Sequence, residues 1–182
     1  MLAVVLGASA QVVDVLNNEW TGVTGTSYTG VNGLTASSDA VYSVQCAGGN
    51  SAIQLRSNNS NSGIVTTTSG GTATKVKVTW NSNTNAARAL QVYGSNTAYT
   101  APSDLYSGET AGDLLTTFLA INGDTEFDIE GTYAYIGFRS ASGAMYIDKI
   151  EITWATGDVV TVSKPTISPA NQTSFIDRKS VV

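Results

Sequence analysis

The sequence predicts an all-β fold, an antiparallel β-sandwich of jelly-roll-like design, and three observations predict it. Short apolar runs alternate with period two, clusters of Gly, Asn and Ser interrupt them at regular spacing, and no stretch sustains the helical repeat of about 3.6 residues. At 182 residues the chain holds one sandwich with flanking pieces and falls short of two full domains of that kind.

Taken in order, the chain opens on the apolar run Leu2 to Ala10, LAVVLGASA, which closes in Ala-Ser-Ala before Gln11. Small residues at that point fit a secretory cleavage site. Residues 1–10 therefore read as the remnant of a signal peptide without its positive start, an ordinary first strand being the alternative. Val12 to Leu16 is the first strand, and Thr21 to Ser38 reads as a Gly/Thr/Ser-rich loop carrying Tyr28. Further strands are expected at Ala40 to Cys46, Ala52 to Arg56, Ile64 to Thr67, Thr74 to Trp80, Arg88 to Tyr93, Leu114 to Ala120, Glu126 to Ile129, Tyr133 to Arg139 and Met145 to Trp154. In the hairpin around Asn81 to Asn85, Val76, Val78 and Trp80 share one face and Leu90 and Val92 alternate with Gln91 and Tyr93, which makes Trp80 a core residue. The last strand changes phase: Met145 and Ile147 are odd, whereas Ile150, Ile152 and Trp154 are even. A β-bulge at Asp148-Lys149 lets all five face inward.

The module is thus expected to span residues 11–155, with a linker over 156–164 and the truncated start of a second, immunoglobulin-like β domain over 165–182. Pro165, Ile167, Ser168-Pro169, Thr173, Phe175 and Val181-Val182 carry that last reading. This piece resembles the opening strand of chitobiase/β-hexosaminidase C-terminal-like domains, although Asn171-Gln172 stand where that pattern has Gly before the Thr. The resemblance implies neighbouring domains of a longer chain. In the main body, Tyr146-Ile147-Asp148-Lys149-Ile150-Glu151-Ile152 resembles the closing strand of secreted bacterial jelly-roll modules in the broad carbohydrate-binding class. Such modules often hold a structural calcium near that Asp, and the resemblance implies Asp14 and Glu19, near the first strand, as co-ligands of Asp148.

Composition excludes several kinds of chemistry. The chain has no His, which removes Ser-His-Asp and Cys-His catalysis and every His-ligated metal site. No SxxK-type motif offers a Ser-Lys substitute, and Cys46 lies in the apolar run AVYSVQC, where a structural thiol is expected. Net charge is −5 with nine Lys and Arg scattered along the chain, so nucleic-acid binding lacks its main electrostatic term. No stretch is long and apolar enough to span a bilayer. Polar positions rich in Ser, Thr, Asn and Gly suit a secreted or cell-surface protein.

Three groups of residues are candidates for function. Asp148 would point inward with Ile150, Ile152 and Trp154 if no bulge intervened, and a buried carboxylate needs a cation or several donors. Calcium, an ion pair with Arg139, or exposure at the bulge are its three fates. Asp124, Glu126, Asp128 and Glu130 fall at every second position, where an extended strand puts them on one solvated face and sends Phe127 and Ile129 to the core. Carboxylates on a regular exposed face do not make a glycosidase pair, which flanks a cleft and has one member raised in pKa. Trp20, Tyr28, Tyr99 and Tyr106 lie outside the clear core pattern and are candidate sugar-stacking rings, with Asn59, Asn61, Asn83 and Asn96 supplying amides nearby. The expected role is a non-catalytic carbohydrate-binding or adhesion module. A ligand-free structural spacer is the first alternative, and a hydrolase domain the second.

Overall fold

A computed structural model describes residues 9–57, 62–120 and 124–157. The expected signal remnant, apart from Ser9 and Ala10, and the expected second domain at 165–182 lie outside these residues, as do Asn59 and Asn61.

The fold is all-β. Its strands are β1 (Ala10–Asn17), β2 (Gly25–Thr35), β3 (Val41–Gly48), β4 (Ile53–Arg56), β5 (Gly63–Thr68), β6 (Thr72–Trp80), β7 (Ala89–Ser95), β8 (Asp113–Leu119), β9 (Asp124–Tyr133), β10 (Tyr135–Ser140) and β11 (Ala144–Thr156), and every pairing is antiparallel. One short helix, α1 (Asn18–Thr21), follows β1, and a 3-10 helix spans Pro102–Tyr106. Hydrogen-bonded neighbours run β8-β7-β10-β5-β3-β4-β11-β6-β9, with β2 added on β3 and β1 on β11. β3 and β4 pair in the sheet at one position only, Ala47 with Gln54. The sheet folds back on itself there, because Tyr42, Val44, Ile136 and Phe138 from one half share a core with Val76, Trp80, Ile152 and Trp154 from the other. Two facing half-sheets over one apolar core make a sandwich.

The phase change in the last strand is resolved as expected. The pairing of β11 with β6 shifts register between Ile147 and Lys149, so Met145, Ile147, Ile150, Ile152 and Trp154 are all fully buried while Asp148 is exposed. Burial of the Trp154 ring alone contributes on the order of 2–3 kcal/mol from its apolar area.

Two expectations are corrected. Thr21 to Ser38 is not a loop: residues 25–35 pair with β3 as β2. The run is too rich in Gly and Thr to announce itself by alternation, since its register is interrupted between Gly25 and Thr29 and again between Asn32 and Leu34. Tyr133 to Arg139 is not one strand either. Tyr133 pairs with Ala73 at the end of β9, whereas Tyr135 pairs with Ser95 at the start of β10, so the chain changes half-sheet at Ala134. At the module's ends, Ala10 pairs with Thr156, one residue beyond the expected 11–155 on each side.

The outer faces of the two halves differ in chemistry. On the β6–β9 side, Lys75 lies opposite Asp128 and contacts both Asp128 and Glu126, and Lys149 pairs with Glu151. The acidic stripe of β9 is thereby answered across the sheet by Lys75, while Phe127 and Ile129 pack on the core as expected. On the β7–β10–β5–β3 side, the outward residues are Gln91, Tyr93, Arg139, Val65 and Ser43, and the segment between β7 and β8 crosses over them.

Candidate functional site

The β7–β8 segment, residues 96–112, is held on the outer face by a set of specific contacts. Asp104 accepts hydrogen bonds from Thr100 N (2.7 Å), Thr100 Oγ1 (2.9 Å) and Ala101 N (3.2 Å), closing the turn that starts the 3-10 helix. Burial pushes the Asp104 carboxyl up in pKa, but these donors outweigh it and hold the group below its ordinary value. Leu105 is buried against the sheet in a second apolar cluster with Val65, Tyr93, Tyr99 and Ala111. It fits because β10 and β5 present glycines beneath it. A Cβ on Gly137 would lie 2.5 Å from Leu105 Cδ2, and one on Gly63 would lie 3.3 Å from Leu105 Cδ1. Tyr99 Oη donates to Ala111 O at 2.8 Å and Tyr106 Oη donates to Ser62 O at 2.7 Å, tying the segment to itself and to the residue that precedes β5.

Arg139 of β10 completes the anchor. Its Nε donates to Gln91 Oε1 at 2.9 Å and its Nη1 donates to Leu105 O. Its guanidinium lies over the ring of Tyr93, 5.1 Å from the centroid, and over that of Tyr106, 4.9 Å away. Each such contact contributes about 0.5–1 kcal/mol at an exposed site and more where water is excluded. Beside this stack opens a cleft of about 250 Å³, bounded by Tyr93, Tyr106, Ser107, Gly108, Leu114 and Arg139. Leu114 is half exposed at its rim. Among the described residues no carboxylate lines it.

Two other clefts border the same segment. One, of about 350 Å³, is lined by Ser95, Thr97, Thr100, Thr110 and the carboxylates Asp104 and Glu109. The other, of about 190 Å³, lies between the 3-10 helix and the β2–β3 hairpin, where Asn32, Ser43 and Gln45 face Pro102 and Ser103.

The four rings expected to stack on sugars have different fates. Tyr106 lies at the Arg139 cleft. Burial raises its pKa, Arg139 opposes that, and Tyr93 adds to it. Tyr99 is only 3% exposed, so it serves as the pin of the segment and presents no face to a ligand. Tyr28 is half-buried on β2 under Arg56, 5.8 Å from its ring centroid, and burial pushes its phenol up to about 12 against the opposing pull of Arg56. Trp20 is remote from this face. It sits on α1, edge-on to Tyr42 with centroids 5.4 Å apart, and its Nε1 donates to Thr35 O. Of the amides expected beside them, Asn96 accepts from Ala134 N and Asn83 folds back on Asn81. Tyr93 and Arg139 are the residues the sequence reading passed over for this site. Their signal was their outward phase on β7 and β10, opposite the core residues Val92 and Phe138.

The carboxylates expected to share a calcium are not gathered. Asp14 is fully buried and accepts from Ser38 N, Ser38 Oγ, Tyr42 Oη and Trp154 Nε1 at 2.6–2.8 Å. A cation wants lone pairs around it, and the N–H groups here point hydrogens at the carboxylate instead. Asp148 is exposed at the bulge and accepts from Asn81 Nδ2 at 2.7 Å. Arg139 is not its ion partner, being held by Gln91 and Leu105 on the other half-sheet. Glu19 is exposed on α1. Among the described residues no three carboxylates or thiols are grouped as metal ligands, and no helix is long and apolar enough to cross a membrane.

The sequence matches no protein-family model and no curated relative.

Proposed function

We propose that this chain is a non-catalytic carbohydrate-binding or adhesion module of a secreted or surface multidomain bacterial protein, and that it binds its glycan on the outer face of the β7–β10 half-sheet. One observation carries the reading: Arg139 lies over Tyr93 and Tyr106 beside an open cleft whose rim is the exposed Leu114. Sugar sites combine an apolar wall for the C–H face of the ring with a few fixed donors for its oxygens. Leu114 and the edge of Tyr106 supply the wall. Arg139 supplies donors whose direction is fixed by its stacking and by its bonds to Gln91 and Leu105.

The non-catalytic part of the proposal rests on the carboxylates. Asp104 and Glu109 share a cleft, but Asp104 is held deprotonated by its donors and so is unsuited to act as a general acid. Secretion and membership of a longer chain rest on composition and on the resemblances described above.

A spacer role is the second reading, favoured by the fact that Tyr99 and Tyr106 spend their hydroxyls on Ala111 O and Ser62 O. A glycan array probed with the full chain separates the two. Signal on a subset of glycans that weakens in Leu114→Ser supports binding, and silence across the array supports the spacer.

A further inference from the structure

We propose that the Arg139 cleft selects acidic sugars, in which a ring carboxylate pairs with the Arg139 guanidinium; this rests on the glycan reading above and adds the chemical class of the ligand. The chain is acidic overall, with fourteen Asp and Glu against nine Lys and Arg. Lys75 and Lys149 are accordingly ion-paired on the opposite half-sheet. Arg139 is not. Its hydrogen-bond acceptors are Gln91 Oε1 and Leu105 O, both neutral, and among the described residues no Asp or Glu lines the cleft it faces. An arginine keeps its charge at any physiological pH, so the cleft carries an uncompensated cation whose Nη2 has no acceptor among the described residues.

The placement of that charge favours a carboxylate over a sugar hydroxyl. Nε and Nη1 are fixed by Gln91 and Leu105, and the tyrosine rings fix the plane, so the remaining N–H donors are aimed before any ligand arrives. A charge-assisted hydrogen bond to a carboxylate is about twice as strong as one to a neutral acceptor, and it neutralises the charge as well. Across the same segment, the cleft holding Asp104 and Glu109 is lined with like charge for such a ligand and would repel it. An acidic oligosaccharide is therefore directed to the Arg139 side, where Leu114 and Tyr106 offer its ring an apolar contact.

The test uses the full chain on an array of uronic-acid oligosaccharides, each printed beside its neutral methyl ester, with affinities then measured by calorimetry at low and at 0.5 M salt. Uronates should bind on the order of tenfold more tightly than their esters, with the preference shrinking at high salt. Leu114→Glu, at the exposed rim of the cleft, should weaken ester binding as Leu114→Ser does and weaken uronate binding further, because it sets a like charge beside the ligand. Arg139→Gln should equalise the two, with circular dichroism confirming the fold. Equal binding of acid and ester, or uronate binding untouched by both substitutions, would overturn the acidic selectivity while the glycan reading stood. Silence on every glycan would overturn both.

Discussion

The Trp154 indole N–H donates to the Asp14 carboxylate across 2.8 Å, joining the last strand to the first inside the core. Tyr42 Oη, from the facing half-sheet, reaches the same oxygen at 2.6 Å, and Ser38 adds two more donors. Asp14 is thus a buried clasp between the two halves of the sandwich. Replacing it by Asn swaps one acceptor for an NH₂ that faces other donors, and should cost about 3 kcal/mol. Chemical denaturation measures this. The cost of Asp14→Asn should be the same with and without EDTA, since donors of the protein itself satisfy the carboxylate.

High pH should unfold the protein through its tyrosines. Burial holds the Tyr28 phenol at about 12 in the fold against an ordinary value of 10. Burial also raises Tyr42, with Asp14 adding to the effect, and raises Tyr99. A group whose folded pKa is raised contributes stability that is whole below its unfolded pKa and lost as pH rises toward the folded one. The melting temperature should therefore hold up to about pH 10 and fall between pH 10 and 12. Tyr28→Phe should soften that decline, as read by thermal scans across this range.

The β7–β8 segment should detach before the core does. Leu105→Ala removes its buried anchor and should cost about 2–4 kcal/mol of local or global stability. Gly137→Ala places a Cβ 2.5 Å from Leu105 Cδ2 and should expel the same side chain. Limited proteolysis should then cut within 96–112 in both variants while tryptophan fluorescence still reports a folded core.

Cys46 is fully buried, and burial raises its thiol to about 11, with a hydrogen bond involving Thr21 opposing the rise. It should resist a thiol reagent such as DTNB at pH 8 and react at once in denaturant. Rapid labelling of the native protein would show that β3 opens far more readily than its place in the core implies.

Much of this fold was legible in period-two alternation because the core is lined by strands that alternate cleanly. Val76, Val78 and Trp80 on β6 and Ile136 and Phe138 on β10 read directly as inward, and the phase change around Asp148 announced its bulge. β2 was not legible. Its outward partners are Asn32 and Gly30 against Ser43 and Gln45, a polar surface with no alternation to detect. The site was legible only in part. Tyr106 was singled out, but its relation to Tyr93 and Arg139 depends on how residues 96–112 fold across the sheet, and that path follows from Leu105 filling the space above Gly63 and Gly137. Asp14 entered as a calcium co-ligand of Asp148 through the resemblance of the closing strand alone, and its donors on Ser38, Tyr42 and Trp154 lie too far apart in sequence to be read as its partners.

We propose that this face of the sandwich binds a glycan through the Arg139 cleft. The most direct test is an amide NMR titration of the full chain with the best-binding oligosaccharide from the array. Shifts should cluster on Ser107, Gly108, Leu114 and the Arg139 side-chain Nε–H, and spare Lys75, Glu126 and Glu151 on the opposite half-sheet. Shifts confined to that opposite half-sheet, or none with any oligosaccharide, would contradict it.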